Sequence, residues 1–296
     1  MALNRYNLKK WVKMIFGKSE LHVKQDVGKN YSLTSIKGYY NDLTLKVLNT
    51  KIQEDELPRF EYQTNKYVDF SIQIIQYGLG AYDLYLQTND KKFLNRFYKA
   101  VDWVANNINE NGSIDTFSFL NDKCPYSSMA QGEAISLLLR AYVNSNNTKY
   151  LVLAKKTLKF MLTDIKDGGT AIFENEKIYL KEYCDKPIVL NGFIFSLFGF
   201  YDYIIIDDSK ELKVLFQKCL DGLIDILPQC DLKYWSKYDT DKKVASPFYH
   251  KLHISLLSVV YEISNNEVVN NYKNKFIKYQ KNPFNRFKAF IKKVGE

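Results

Sequence analysis

Four times along the chain an apolar, helix-like stretch is followed, after a short polar turn, by an amphipathic one. The first members are YVDFSIQIIQYGLGAYDLYLQT from Tyr67, MAQGEAISLLLRAYVNS from Met129, VLNGFIFSLFGFYDYII near Leu190 and FYHKLHISLLSVVYEIS from Phe248. Their starts are separated by 62, 61 and 58 residues. The second members are KKFLNRFYKAVDWVANNI, NTKYLVLAKKTLKFMLT, SKELKVLFQKCLDGLIDIL and NNEVVNNYKNKFIKYQ. Asn89 and Asp90 supply the turn and the cap in the first pair. A fixed period of helix pairs admits few architectures. The first helix of each pair is apolar nearly all round and should be buried, whereas the second has a charged face and should lie outside. The expected fold is therefore mainly α: an incomplete α/α toroid of helix pairs with short β-hairpins lining a cleft. An open solenoid is the rival. In a toroid the N-termini of the inner helices gather at one end, so SSMAQG, VLNG and PFYHKLH mark the expected cleft.

The chain has 296 residues, 46% of them hydrophobic, which suffices for a sizeable core. The toroid is expected over residues 38–279. Residues 1–37 form a basic N-terminal segment and residues 280–296 a basic amphipathic tail. Within this span, SIKGYYNDLTLKVLNTKI looks extended, and AIFENEKIYL after Gly168-Gly169 alternates as a β-hairpin does. The net charge of +9 suits an anionic partner. No zinc-finger spacing or ribonucleoprotein motif accompanies it, so a nucleic acid is not expected. NLKKWVKMIFGK and NPFNRFKAFIKK are basic and amphipathic, and each could rest on an anionic membrane. Neither a signal peptide nor a run of ~20 apolar residues is seen, which points to a cytoplasmic protein, peripheral at the inner face of the membrane where its ends touch it. Cys124, Cys184, Cys219 and Cys230 lie far apart with no CxxC pair, so free thiols are expected rather than disulfides or a zinc site.

Four stretches offer chemistry. In SSMAQGEAISLLLRAY, Gln131 opens a helix and Arg140 is an isolated charge among leucines, as either a structural or a substrate-binding group. In KEYCDKPIVLNG, Glu182 precedes Tyr183, and Asn191 begins a helix. YWSKYDT holds Trp235 and Tyr238, and PFYHKLH holds Tyr249, His250 and His253. The two histidines lie three apart, but no third ligand accompanies them, so no metal is expected.

Taken in order, MAQGEAISLLLRAY, KEYCDKPIVLNGFIFSLFGFYDY, YWSKYDT and FYHKLHISLL resemble the C-terminal catalytic domain of the D-glucuronyl C5-epimerases, as does IIQYGLGAYDLYLQTND. The resemblance covers roughly residues 38–262. It implies an α/α toroid that converts glucuronate to iduronate within a heparan-type or related polysaccharide, without a cofactor. Motif by motif, it implies catalytic roles for Tyr183, Tyr238 and Tyr249, with Glu182 tuning or sharing a proton. Asn191 and His250 would bind the substrate carboxylate; Gln131, Arg140 and Trp235 are further binding candidates. The chain departs from animal members after the YD motif. They carry a basic residue there, where this chain has Thr240 and Asp241, with Lys242 or Lys243 as substitutes. It also lacks their large N-terminal β-domain. The expected partner is an anionic polysaccharide containing glucuronate, and a homodimer is compatible with this reading.

The chemistry asks for such groups. Epimerisation removes the C5 proton, α to a carboxylate, and the resulting enolate needs cationic or hydrogen-bonding stabilisation. One group must take the proton from one face and another must return one to the opposite face. A uronate polysaccharide lyase shares the first step and then expels the C4 substituent. A non-catalytic acidic-glycan-binding protein is the reading from another class.

Overall fold

In the computed structural model, which describes Lys13 and residues 22–295, α1 (Thr44–Leu48) is a single turn. It lies inside the stretch expected to be extended. Asp42 Oδ1 accepts from the Thr44 backbone N–H at 3.0 Å and from its hydroxyl at 2.5 Å. These bonds fix the backbone just ahead of the turn, and among the described residues no strand pairs with the alternating LTLKV. A hairpin follows, β1 (Phe60–Gln63) against β2 (Lys66–Val68), with Asn65 in left-handed backbone at its turn (φ 59°). The hairpin takes Tyr67 and Val68, so the first inner helix, α2, runs Ser71–Thr88 rather than starting at residue 67.

The paired helices match the periodic reading. α2 is followed by α3 (Lys91–Asn107), α4 (Ser128–Ser145) by α5 (Thr148–Met161), α6 (Leu190–Ile206) by α7 (Lys210–Ile226), and α8 (Pro247–Ser264) by α9 (Glu267–Lys281). Between α5 and α6 lies the expected second hairpin, β3 (Ala171–Glu174) and β4 (Lys177–Leu180). Asn175 and Glu176, both at positive φ, form its two-residue turn. The last element is α10 (Pro283–Val294). Among the described residues the protein is thus mainly helical with two small antiparallel sheets. NLKKWVKMIFGK, apart from Lys13, lies outside the described residues.

One two-residue device joins three of the pairs. Asn89, Asn146 and Asn265 close α2, α4 and α8 in left-handed backbone at φ 54°, 55° and 48°. The next residue, Asp90, Asn147 or Asn266, caps the following helix by accepting a backbone N–H two residues on.

The chain divides into two compact units. The larger comprises Gly28–Ile188 and Gly192–Leu223. Its core contains α2, α4 and most of α6, whose residues are buried on almost every side. α4 and α6 touch backbone to backbone: a Cβ on Gly199 would stand 1.9 Å from the Gly132 carbonyl oxygen. Beside this crossing Arg140 is 1% exposed. It donates to Asp202 Oδ2 (2.6 Å) and to the carbonyls of Ser136 and Gly38 (each 2.8 Å). The Tyr40 hydroxyl donates to the other oxygen of Asp202 at 2.8 Å.

The cysteine expectation is corrected. Cys124 and Cys184 form a disulfide across 60 residues, while Cys219 and Cys230 are free and buried. The bond joins the loop before α4 to the segment before α6, whose proximity no spacing rule in the sequence encodes.

The smaller unit comprises Val189–Asn191, Ile224–Glu296 and the described part of Met1–Val27. Its core cluster holds Trp235, Val244, Ala245 and Ala289, with Leu232, Tyr234, Tyr249 and Tyr279 packed against it.

Candidate active site

In the smaller unit a folded-back segment presents Tyr238. Asp231 pairs with Ser236 and Lys237 with Val244, and Val189 bridges Asp239. The Leu190 N–H donates to the Tyr238 carbonyl at 3.1 Å, so the start of α6 is tied to this tyrosine's backbone. Tyr249 comes from the first turn of α8, where Ser246 caps the helix and Pro247 opens it. The Tyr238 and Tyr249 rings meet edge to face, with centroids 4.8 Å apart at 69°. Lys243 Nζ, one of the two lysines the sequence offered, lies 5.3 Å from the Tyr238 ring centre. The Tyr249 hydroxyl shares a hydrogen bond of 3.2 Å with His22 Nε2, and the His22 ring stacks on Phe248 at 4.4 Å. Asn191, the second residue of α6, is 4% exposed, and its Oδ1 has no hydrogen-bond partner among the described residues.

His250 and Trp235 lie beneath these groups. The Ser236 backbone N–H donates to His250 Nδ1 at 3.1 Å, which fixes that nitrogen as an acceptor. Nε2 therefore carries the hydrogen and donates to the Phe276 carbonyl at 3.0 Å. Trp235 stacks on the imidazole, with centroids 3.6 Å apart, and donates its indole N–H to the Ala245 carbonyl. Both residues are buried. Burial also lowers the His250 pKa to about 3, so the ring is neutral. His250 thus holds Ser236 and the helix beside Tyr249, and Trp235 fills the core. Both imidazole nitrogens and the indole N–H thus have protein partners.

In the larger unit the segment before α6 presents Glu182 and Tyr183. The Ser128 N–H donates to the Lys181 carbonyl, and the Lys181 N–H to the Thr170 carbonyl, each at 2.9 Å. The Cys124–Cys184 bond fixes the residue after Tyr183. Tyr183 stacks on Phe117 at 4.5 Å and lies under Lys186 Nζ at 4.2 Å. Glu182 is buried against the start of α6. A Cβ on Gly192 would come within 2.4 Å of its Oε2, so only glycine fits there. Gln131 is fully buried, and neither of its amide atoms has a partner among the described residues. Arg140 is enclosed by the contacts described above, which agree with the structural one of its two sequence readings.

Sequence reasoning missed two groups. His22 carried no signal, being a lone histidine in an irregular arm. Glu133 does carry one, a charge inside an apolar helix like Arg140. It is fully buried, and Gln76 Nε2 donates to its Oε1 at 2.7 Å. Burial, helped by the Glu182 charge and opposed by Gln76 and Lys46, raises its pKa to about 8. Asp83, which accepts from the Tyr39 N–H at 2.9 Å, is likewise raised by burial, to about 7.

A pH signature follows from these shifts. A carboxyl with a raised folded pKa binds its proton more tightly folded than unfolded, so stability falls as pH rises toward the folded value. His250 and His253, lowered by burial to about 3, act with the opposite sign, but only below ~6.5. Between pH 7 and 8 Glu133 therefore dominates. Stability should decline there by at most ~1.4 kcal/mol per pH unit. Glu133→Gln should flatten that decline in urea titrations run across this range; an unchanged slope would assign the proton elsewhere.

Among the described residues the one cluster with metal-ligand spacing is Cys124, Cys184 and Asp185, and its two sulfurs are bonded to each other.

Residues 119–278 match the family model of the D-glucuronyl C5-epimerase C-terminus. A D-glucuronyl C5-epimerase of Caenorhabditis elegans is 32% identical over 212 residues, 62% of this chain and 34% of the worm protein. An uncharacterized protein of Methanocaldococcus jannaschii is 24% identical over 159 residues, 52% of this chain and 49% of its own length. The matched region therefore spans between a third and a half of the relatives' own length.

Proposed function

Since the chain belongs to the D-glucuronyl C5-epimerase family by its match to that C-terminal region, we propose that it inverts C5 of D-glucuronate to L-iduronate within a heparosan-like anionic polysaccharide. The C5–H bond breaks, its proton passes to a basic side chain, and a second side chain delivers a proton to the other face. Nothing is oxidised or reduced, so no cofactor is needed.

The observation that carries this reading is the edge-to-face pair of Tyr238 and Tyr249, with His22 on the Tyr249 hydroxyl. A phenol hydrogen-bonded to an imidazole has a partner that can take or return its proton. Lys243 places positive charge beside Tyr238. Tyr183 and Glu182 are the second set of proton carriers, with Lys186 supplying positive charge beside Tyr183. Asn191, with an amide oxygen that no described residue uses, is our candidate for accepting a hydrogen bond from a substrate hydroxyl, while its amide NH2 is the donor a carboxylate would need. Gln131 is retained as a binding candidate on the same ground. His250 and Trp235 act as positioning residues.

The test is incubation with a glucuronate polymer in D2O. Deuterium at C5 without chain cleavage is the expected result. A 4,5-unsaturated uronate, seen by its ultraviolet absorbance, would replace the epimerase by a lyase. Polymer binding with neither outcome would leave a glycan-binding protein.

A further inference from the structure

α10 (Pro283–Val294) is anchored to the smaller unit from one side. Ala289 is buried in the cluster with Trp235, Val244 and Ala245, and Lys288 Nζ lies 4.2 Å from the Tyr234 ring centre. Phe284, Phe287 and Ile291 are 82%, 64% and 54% exposed. Their spacings of three and four residues put them in one stripe, on the side of the helix turned away from Ala289. Single exposed apolar residues are ordinary on a protein surface, but a contiguous stripe of three large ones marks a contact. Lys288 and Lys292 lie along one side of the stripe, Lys281, Arg286 and Lys293 add to the positive charge of the segment, and no acidic residue occurs between Lys281 and Gly295.

We propose that α10 docks the chain onto an anionic lipid surface. Phe284, Phe287 and Ile291 enter the boundary between headgroups and acyl chains, and the basic side chains meet the headgroups. Two other occupants fit less well. An acidic polysaccharide would engage the lysines but leave the apolar stripe in water. A second copy would bring together two cationic helices of 12 residues. At ~18 Å in length, such a helix face covers only a few hundred Å², against the ~800 Å² per partner of a stable interface. The proposal does not depend on the epimerase reading.

The test is flotation of the full chain with phosphatidylcholine vesicles, with and without phosphatidylglycerol, at low and high salt. The expected result is binding that requires phosphatidylglycerol and weakens with salt. The triple variant Phe284→Ser, Phe287→Ser, Ile291→Ser should lower the partition coefficient about tenfold or more, with its melting curve unchanged. A Phe287→Trp variant should be quenched by brominated lipid in the same vesicles. Equal flotation of the triple variant and the parent would overturn the proposal. So would a parent that ignores phosphatidylglycerol, or an indole that brominated lipid leaves bright. A parent dimer that the triple variant dissolves, without vesicle binding, would assign the stripe to self-association instead.

Discussion

Tyr249→Phe is expected to lower the rate of C5 hydrogen exchange by about 10²- to 10⁴-fold, the range for removing a general acid or base. The change deletes one oxygen. The ring keeps its contacts with Tyr238 and Phe248, and Trp235 beneath it keeps its own bonds. The lost hydrogen bond to His22 should cost stability only ~1 kcal/mol. The variant therefore separates chemistry from folding, provided that deuterium incorporation and the urea midpoint are measured on the same sample. A near-parental exchange rate would remove Tyr249 from the mechanism. A loss of exchange matched by a loss of folded protein would reduce it to a packing residue. The readout is isotopic, so it does not depend on which sugar predominates at equilibrium.

Arg140→Ala should be the most damaging single change to stability, on the order of 3–5 kcal/mol. The guanidinium satisfies one oxygen of Asp202 and two carbonyls at once, and both partners of the ion pair are 1% exposed. Removing it leaves Asp202 buried with the Tyr40 hydroxyl alone. Such a loss is a large part of the ~5–15 kcal/mol that holds a typical domain together. Replacing both partners, Arg140→Met with Asp202→Leu, should recover much of it, because apolar groups of similar size leave no stranded charge. Chemical denaturation of the three proteins checks both statements. A parental midpoint for Arg140→Ala, together with weakened polymer binding, would return Arg140 to the substrate.

The helix pairs were legible because their signals are local. An apolar run such as LNGFIFSLFGFYDY and an Asn-Asp or Asn-Asn step between periodic stretches need no distant partner to be read. The hairpin from Ala171 to Leu180 was legible for the same reason. Where the sequence reading fell short, the partners mostly lay far along the chain; LTLKV is the exception. LTLKV alternates like a strand, yet Thr44–Leu48 is a helical turn, preceded by Asp42, whose Oδ1 accepts the Thr44 N–H. The Cys124–Cys184 bond joins loops 60 residues apart. His250 shows the limit most clearly. Its type and place in PFYHKLH suit a carboxylate ligand equally well, and only the bonds from Ser236 and to Phe276 give it a structural part. His22 stands 227 residues from the tyrosine it bonds, beyond the reach of any window along the sequence.

The Asn-centred turns bear on how the chain finds its fold. Each joins two helices through a reversal of two residues, so the contacts within a pair close loops of fewer than about forty residues, and short loops close quickly and at little entropic expense. The left-handed asparagine and the cap beside it are both set by neighbouring backbone. A helical hairpin of this kind carries its own instructions and can form as the ribosome releases it. The slow part of folding is then left to contacts such as that between His22 and Tyr249, which must wait until almost the whole chain has been made.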